Sequence, residues 1–186
     1  MNIDQVISGR RAVREYTLQA VDQDSIRYLI DCAVKAPSAV NQQPWAFTVV
    51  RDQILLDTIS RQAKQHMLST MQGNRHAAHF QSHLESDDFH IFYHAPVLIV
   101  ISAVEEGPWI VEDCSLAAEN LMLGAFGKNL GSCWIGFAQS YLNTPKGKAL
   151  LNMPEQWIPI APIIIGHASS LPDAVARHKP VIQWVG

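Results

Sequence analysis

The chain has 186 residues, of which 48% are hydrophobic and 17% are charged, and its formal net charge is −3. This composition is typical of a globular domain and excludes disordered, collagen-like and fibrous proteins. The small negative charge provides no general attraction to nucleic acid or anionic membranes, so we expect neither as a partner. The longest apolar runs, 95–104 and 158–166, have about half the length of a membrane-spanning helix, and residues 1–4 lack the pattern of a secretory signal. We therefore expect a single cytoplasmic domain over residues 1–186.

The first half of the chain predicts helices and one strand. A helix over 2–9 follows a cap at Asn2, and a second helix over 22–36 ends before Pro37, because proline cannot continue it. The β-rich run 45–51 predicts a strand. Residues 53–71 predict a third helix, whereas 72–94 are polar and rich in histidine, and their pattern assigns no element.

The second half alternates apolar runs with helical patterns. The predicted elements are strands over 97–102, 132–137 and 158–167, helices over 111–129 and from Pro145 behind a Thr144 cap, a helix stop at Gly131, and an extended arm over 170–186. The connections do not form a regular βαβ series, so we expect an α+β fold with a mixed central sheet flanked by helices. No GxGxxG follows a strand and no GxxxxGK[ST] occurs, which excludes a Rossmann dinucleotide site and a P-loop.

Three cysteines, Cys32, Cys114 and Cys133, are too few and too widely spaced for a disulfide framework or a CxxC pair. We expect reduced thiols in the core of a cytoplasmic protein. Cys133 has two interpretations, a packed thiol or a reactive one. We favour the first, because a reactive thiol needs a positive local environment.

A basic cluster follows the first helix. Arg10, Arg11 and Arg14 place three of the fourteen basic residues within five positions. Guanidinium groups offer a planar fork of donors and a permanent charge, which suits a phosphate. The alternative is a solvated basic turn, which most charge runs are.

A second candidate is the segment 36–45, which reads APSAVNQQPW. Its Asn and Gln amides can each donate and accept, as recognition of a heteroaromatic ring edge requires. The alternative is a loop held by its own Asx and Ser turns. Propensity does not separate the two.

Taken together, RRAVR at 10–14 and APSAVNQQPW at 36–45 resemble the nitroreductase family of flavoproteins. The N-terminal half of that family reads R-R-S-x-R, then A-P-S-x-x-N-x-Q-P-W, then a strand. GSCWIGF at 131–137 is similar to the family's segment beside the flavin. PIIIGH at 162–167 and RHKP at 177–180 resemble its last strand and its C-terminal basic pair. The matches keep the family's order and leave only 60–94 unaccounted for.

The resemblance implies a nitroreductase-like fold and a homodimer that binds FMN at its interface, with the extended C-terminal arm completing the site. By position, it assigns the phosphate, the ribityl chain and the carbonyl edge of the ring to Arg10, Arg11 and Arg14. It assigns a backbone contact to Ala12 and completion of the phosphate site to Arg177 and Lys179. It assigns contacts from the partner subunit to Pro37, Ser38, Ala39 and Asn41. It places Cys133, Trp134, Ile135 and Gly136 near the flavin N5. Ala12 stands where the family usually has serine, so it contributes only backbone atoms, and Ile135 stands where the bacterial branch has a glutamate.

The implied reaction is ping-pong transfer of a hydride from NADH or NADPH, through flavin N5, to a small electron-poor acceptor such as a nitroaromatic or a quinone. No side-chain catalyst is expected, because the cofactor supplies the chemistry. The alternatives are a non-catalytic FMN-binding carrier or sensor, and a dehydrogenase or dehalogenase variant of the same fold.

A metal site is the rival hypothesis for the histidine-rich region. The histidines there are at 66, 76, 79, 83, 90 and 94. If 75–85 is helical, His76, His79 and His83 share one face at a spacing that can present imidazoles to zinc. No HExxH and no nearby cysteine accompany them, so we favour a solvated or pocket-lining helix and expect no metal.

Overall fold

The computed structural model describes residues 1–70 and 77–186. In chain order, the elements are α1 (Ile3–Gly9), α2 (Gln23–Ala33), a 3₁₀ turn (Ala39–Asn41), β1 (Trp45–Val50), α3 (Gln53–Thr70), α4 (Ala77–Glu85), β2 (Val97–Ala103), α5 (Ile110–Gly127), β3 (Gly131–Trp134), α6 (Gly136–Leu142), α7 (Pro145–Leu150) and β4 (Ile158–Gly166). None of the described helices combines the length and the apolar character needed to cross a membrane.

Side-chain caps determine where several helices begin. Asn2 and Gln5 form a reciprocal capping box at the start of α1. The Asp22 carboxylate accepts the Ser25 N–H at the start of α2. The Thr144 hydroxyl accepts the Gly147 N–H ahead of Pro145, so the predicted start of α7 is confirmed.

The four strands form one sheet in the order β1-β2-β4-β3, and every strand pair is antiparallel. The sheet therefore differs from the predicted mixed arrangement, because its parallel character is limited to an isolated bridge between Ala12 and Ser132. β2 is buried along its whole length at the centre of the sheet. A continuous apolar run suits such a position, since both faces of the strand are covered.

Two apolar cores lie on opposite faces of the sheet, so the fold has three layers. Residues of α2 and α5 form one core together with strand residues such as Ile99 and Ile163. Residues of α3 and α6 form the other core together with Leu98 and Ile164. The side chains of neighbouring residues in a strand point to opposite faces of the sheet. Each leucine or isoleucine side chain contributes about 1.5–3 kcal/mol to the stability of the fold when it is fully buried.

Three sequence-based boundaries were wrong. Gly131 is not the stop of α5, because Asn129 takes the left-handed conformation there, with φ of 58°. Gly131 is instead the first residue of β3, which ends at Trp134 because Gly136 already begins α6. α2 ends at Ala33, three residues before the predicted end at position 36 next to Pro37.

Apolar side chains remain exposed on α1 and on the C-terminal segment. Ile3 and Ile7 face solvent on α1, which has no buried residue. Residues 171–186 contain no helix or strand and are exposed throughout, including Trp184, which is 88% exposed. These two segments therefore present apolar surface that the chain itself does not cover.

Candidate functional site

The basic segment, residues 10–14, lies against the edge of the sheet. The Val13 N–H donates to the Ser132 carbonyl at 3.0 Å, which aligns residues 12–14 with β3. The buried Val13 side chain sits over Gly131, and a Cβ at position 131 would come within 2.8 Å of Val13 Cγ1. Glycine therefore allows the basic segment to approach β3 closely.

A cavity of about 700 Å³ opens beside this segment. It is lined by the end of α1, the basic segment and the C-terminal segment, namely Ile7, Ser8, Arg10, Arg11, Ala12, Arg14, Ala174, Val175 and Arg177. The structure thus brings Arg177 to the N-terminal arginines across more than 160 positions of sequence. Lys179 and the segment 36–45 are absent from the lining that these described residues form.

The guanidinium groups of the cavity have more donors than the chain uses. Arg10 Nε lies 3.6 Å from Glu119 Oε1, which is the one ion pair that these arginines make in the described part of the chain. Arg11 Nη1 donates to the carbonyls of Ser8 and Arg10 at 2.7 and 2.9 Å, but its buried Nε has no partner there. None of the described residues that line the cavity is acidic. An anion with several acceptor oxygens would satisfy both the charge and the unused donors.

The segment 133–136 continues from β3 beside the arginines. Burial raises the pKa of the Cys133 thiol, and the nearby charges of Arg14 and Arg10 only partly oppose this shift. The thiol is buried, with Sγ 3.7 Å from the Trp134 carbonyl, which favours the packed interpretation over the reactive one. Ile135 is buried and its N–H donates to the Pro162 carbonyl at 2.8 Å, whereas Gly136 is exposed.

Aromatic side chains border the Arg14 side of this region. The Phe137 ring packs edge-on against Phe80 and Phe89, at 5.5 and 6.3 Å between ring centres. Phe89 contacts Tyr93 at 5.8 Å, and Arg14 Cζ lies 5.9 Å from the centre of the Tyr93 ring. The histidine-rich region that the sequence left unassigned therefore supplies aromatic groups beside the basic segment.

The segment 36–45 is a tight loop at a separate location. Val40, Asn41 and Gln43 have positive φ angles of 45°, 59° and 50°. Ser38 Oγ accepts the Gln43 N–H at 2.9 Å, so the predicted Ser turn exists. Asp113 of α5 also holds the loop, since its Oδ1 accepts the Ala39 N–H at 2.9 Å.

Asp113 was missed by sequence reasoning. The signal was present, because position 113 places a carboxylate on the side of α5 that also carries Cys114, Ala117 and Leu121, all of them buried. A charged residue on a buried helix face usually has a specific partner. The sequence does not reveal that the partner is a backbone group 74 positions away.

The structure describes part of the helix face on which the rival zinc hypothesis rests. His76 lies outside the described residues, and His79 and His83 lie in α4. The His83 ring packs edge-on against Phe89, at 5.8 Å between ring centres. Its ring therefore belongs to the aromatic surroundings of Phe89.

A different group, Asp57, His90 and His94, brings its potential ligand atoms within 4.8 Å of one another in the described part of the chain. His90 Nδ1 accepts the N–H groups of Phe92 and His94 at 3.2 and 3.5 Å, so in the neutral ring the proton is on Nε2. That nitrogen lies 3.1 Å from Asp57 Oδ1 and donates to it. A metal at Nε2 would need the opposite tautomer, so this geometry disfavours a metal site.

Both the sequence and the fold of this chain are similar to those of known proteins. The sequence model of the Nitroreductase family matches residues 7–167. A "Putative NADH dehydrogenase/NAD(P)H nitroreductase" of Methanothermobacter thermautotrophicus is 29% identical over 177 residues, which are 92% of this chain and 80% of the relative. An FMN-dependent nitroreductase of Clostridium difficile has a TM-score of 0.78 at 28% identity, over 97% of this chain and 98% of the other. A Bacteroides fragilis nitroreductase with bound FMN has a TM-score of 0.86 at 24% identity, with both chains covered completely. The α+β fold described above is therefore the nitroreductase fold.

Proposed function

Because this chain belongs to the nitroreductase family, we propose that it is an FMN-dependent oxidoreductase that uses NADH or NADPH to reduce small electron-poor acceptors. The observation that carries the proposal is the cavity in which Arg10, Arg11, Arg14 and Arg177 converge, with no acidic residue among the described residues of its lining. The chemistry that FMN supplies when bound is reversible acceptance of a hydride at N5. The protein's task is then to bind, orient and stabilise charge.

The arginines fit a phosphate-bearing ligand with a polar ring system. A phosphate is doubly charged near neutral pH and accepts several hydrogen bonds, which the unused guanidinium donors can make. The buried Nε of Arg11 is one such donor. Arg14 lies between this cavity and the aromatic group around Tyr93, so we assign it to the ring end of the ligand. Its positive charge would stabilise negative charge that develops on the ring during reduction.

A homodimer is part of the proposal. Pro37, Ser38, Ala39 and Asn41 do not line the cavity of their own chain, as expected if they contact the flavin of the partner subunit. The exposed apolar residues of α1 and of residues 171–186 offer surface for such a partner. Burial of these groups would stabilise the dimer through the hydrophobic effect. Lys179, in the same exposed segment, is assigned to the phosphate through the resemblance alone.

The aromatic surroundings favour flat acceptors. Phe137 follows the segment assigned to the flavin N5, and Phe89 and Tyr93 extend the aromatic surface toward Arg14. Aromatic faces stack on planar, electron-poor rings, which nitroaromatics and quinones provide. These compounds are therefore the acceptor class that we propose.

The visible spectrum of the purified protein under anaerobic conditions tests this function. We expect a yellow protein that bleaches rapidly when NADH or NADPH is added and regains its colour with a quinone. A flavin that remains oxidised with both donors would instead favour the carrier or sensor alternative. A protein that contains no flavin and takes up none from added FMN would contradict the proposal.

A further inference from the structure

A buried carboxylate from a distant helix holds the loop assigned to the flavin. Asp113, in the first turn of α5, is 3% exposed, and its Oδ1 accepts the Ala39 N–H at 2.9 Å. We infer that Asp113 is a positioning residue, which holds the loop 38–43 in the conformation that contacts FMN. This inference rests on the proposed function, since the contact between the loop and the flavin is part of that proposal.

The loop needs an anchor because its backbone conformation is costly. Val40, Asn41 and Gln43 all have φ between 45° and 59°, a backbone region that residues other than glycine rarely adopt. Val40 is β-branched, for which this region is least favourable, and at 90% exposure it gains little from packing. Local preference therefore does not determine this conformation.

Contacts within the loop do not attach it to the rest of the protein. Ser38 accepts the N–H groups of Asn41 and Gln43, which closes the turn upon itself. The far end is attached where the Pro44 carbonyl accepts the Val104 N–H at 2.8 Å. Asp113 supplies the attachment at the near end, through Ala39.

Burial of the Asp113 carboxylate costs free energy that a purely structural role would not require. Asp113 Oδ2 is buried without a partner, and no Lys or Arg lies within ion-pair distance of Asp113 in the described part of the chain. Burial of an unpaired charge is unfavourable, and an apolar residue of the same shape is often neutral or better for stability. The N-terminal end of α5 partly offsets this cost through the helix dipole. The bond to the loop is the specific contact that an apolar residue would lose.

Three variants separate the hydrogen bond from charge and volume. Asp113→Leu keeps the branched shape but removes the acceptor, and Asp113→Asn keeps an acceptor oxygen without the charge. Glu112→Gln is the matched control, because Glu112 is an exposed acid in the same helical turn and its side chain makes no hydrogen bond in the described part of the chain. Hydrogen exchange of the amides in 38–43 is measured on flavin-free protein, and FMN affinity is measured by quenching of flavin fluorescence.

We expect Asp113→Leu to speed exchange of the Ala39 amide and to raise the Kd for FMN, each by about ten- to a hundredfold. This is the effect of losing one hydrogen bond to a charged group. Asp113→Asn should restore both values to within about threefold, since its amide oxygen accepts the same bond. Glu112→Gln should behave like the wild type. A loss of stability alone would not produce this rescue.

Each contrary outcome has its own meaning. Unchanged exchange in Asp113→Leu overturns the anchoring role. Faster exchange with unchanged FMN affinity overturns the link between the loop and the flavin. If the wild-type protein itself takes up no FMN, the proposed function has failed, whatever the variants do.

Ala39→Pro tests the same bond from its other end if Asp113→Leu does not fold. Ser38 has φ of −137° and ψ of 154°, a conformation that a residue before proline readily adopts. Ala39 is the first residue of the 3₁₀ turn, where proline is tolerated. We expect faster exchange at Asn41 and Gln42 and an FMN Kd raised by about tenfold or more. Wild-type values for both would overturn the inference.

Discussion

The arginine cavity and the His90 region are both clusters of nitrogen-bearing side chains, yet they differ in how many hydrogen-bonding groups remain free. In the cavity, the Arg11 Nε is buried without a partner among the described residues. At His90, both ring nitrogens already have partners, and Lys64 Nζ donates to the Ser86 and Phe89 carbonyls at 2.7 and 2.8 Å. A cluster of suitable residue types therefore indicates a ligand only where its donors or acceptors are unmet.

The strongest test of this difference removes the cavity's charge. Arg10→Ala combined with Arg14→Ala should raise the Kd for FMN by about a hundredfold or more, because each charge-assisted hydrogen bond contributes roughly 1.5–3 kcal/mol. Isothermal titration with FMN measures the change. The control is Arg27→Ala combined with Arg61→Ala, which removes two exposed guanidiniums elsewhere. Equal affinities in the two double variants would refute the assignment of the cavity.

The next largest effect concerns how the basic segment is positioned. Gly131→Ala should destabilise the fold by about 1–3 kcal/mol and weaken FMN binding, because the new Cβ would lie 2.8 Å from Val13 Cγ1 and displace the segment from β3. Gly127→Ala is the matched control, since a Cβ there meets nothing within 4 Å and should be neutral or slightly stabilising. Chemical denaturation and FMN titration measure both. Equal stability of the two variants would contradict the close packing at Gly131.

A smaller effect is expected from acid at His90. Burial lowers the pKa of His90, the charge of His94 adds to this, and Asp57 opposes it. The unfolded state, with an ordinary pKa of about 6.5, then binds more protons than the folded state below that pH. The contribution of His90 to stability is therefore fully present above about pH 6.5. It decreases as the pH falls below that value and is lost once the pH is below the pKa of His90 in the folded state.

Thermal unfolding between pH 8 and pH 5 measures this dependence. His90→Gln should show a weaker fall in stability with acid than the wild type. His178→Gln, which removes an exposed histidine from the C-terminal segment, should leave the fall unchanged. An identical acid response in all three proteins would show that His90 does not contribute.

The smallest expected effect is that of zinc. Because His90 Nε2 carries the proton in the neutral ring and donates to Asp57, added Zn²⁺ should shift the melting temperature by less than about 1 °C. Equilibrium dialysis of flavin-free protein with zinc checks the same point. Uptake of one zinc per chain that disappears in His90→Ala would make this region a metal site after all.

Local signals predicted a large part of the fold. The Asn2 and Thr144 caps, the proline at position 145 and the apolar run of β2 each determine an element through interactions among near neighbours. The end of α5 was misplaced because Asn129 can adopt the left-handed conformation that was assigned to Gly131. The sequence did not predict α4, because its polar, histidine-rich sequence has no clear apolar periodicity.

The candidate site shows the same division between local and long-range information. The sequence by itself determined which residues are the candidates for the site, since Arg10, Arg11 and Arg14 are neighbours in the chain and the motifs keep the order of the family they resemble. The resemblance had already assigned Arg177 to the same site, and the structure lines one cavity with all four arginines. Only the tertiary structure decided that Val13 packs closely over Gly131 and that Asp113 holds Ala39. These contacts join residues that are far apart in sequence, and they depend on how the layers pack, so no local pattern encodes them.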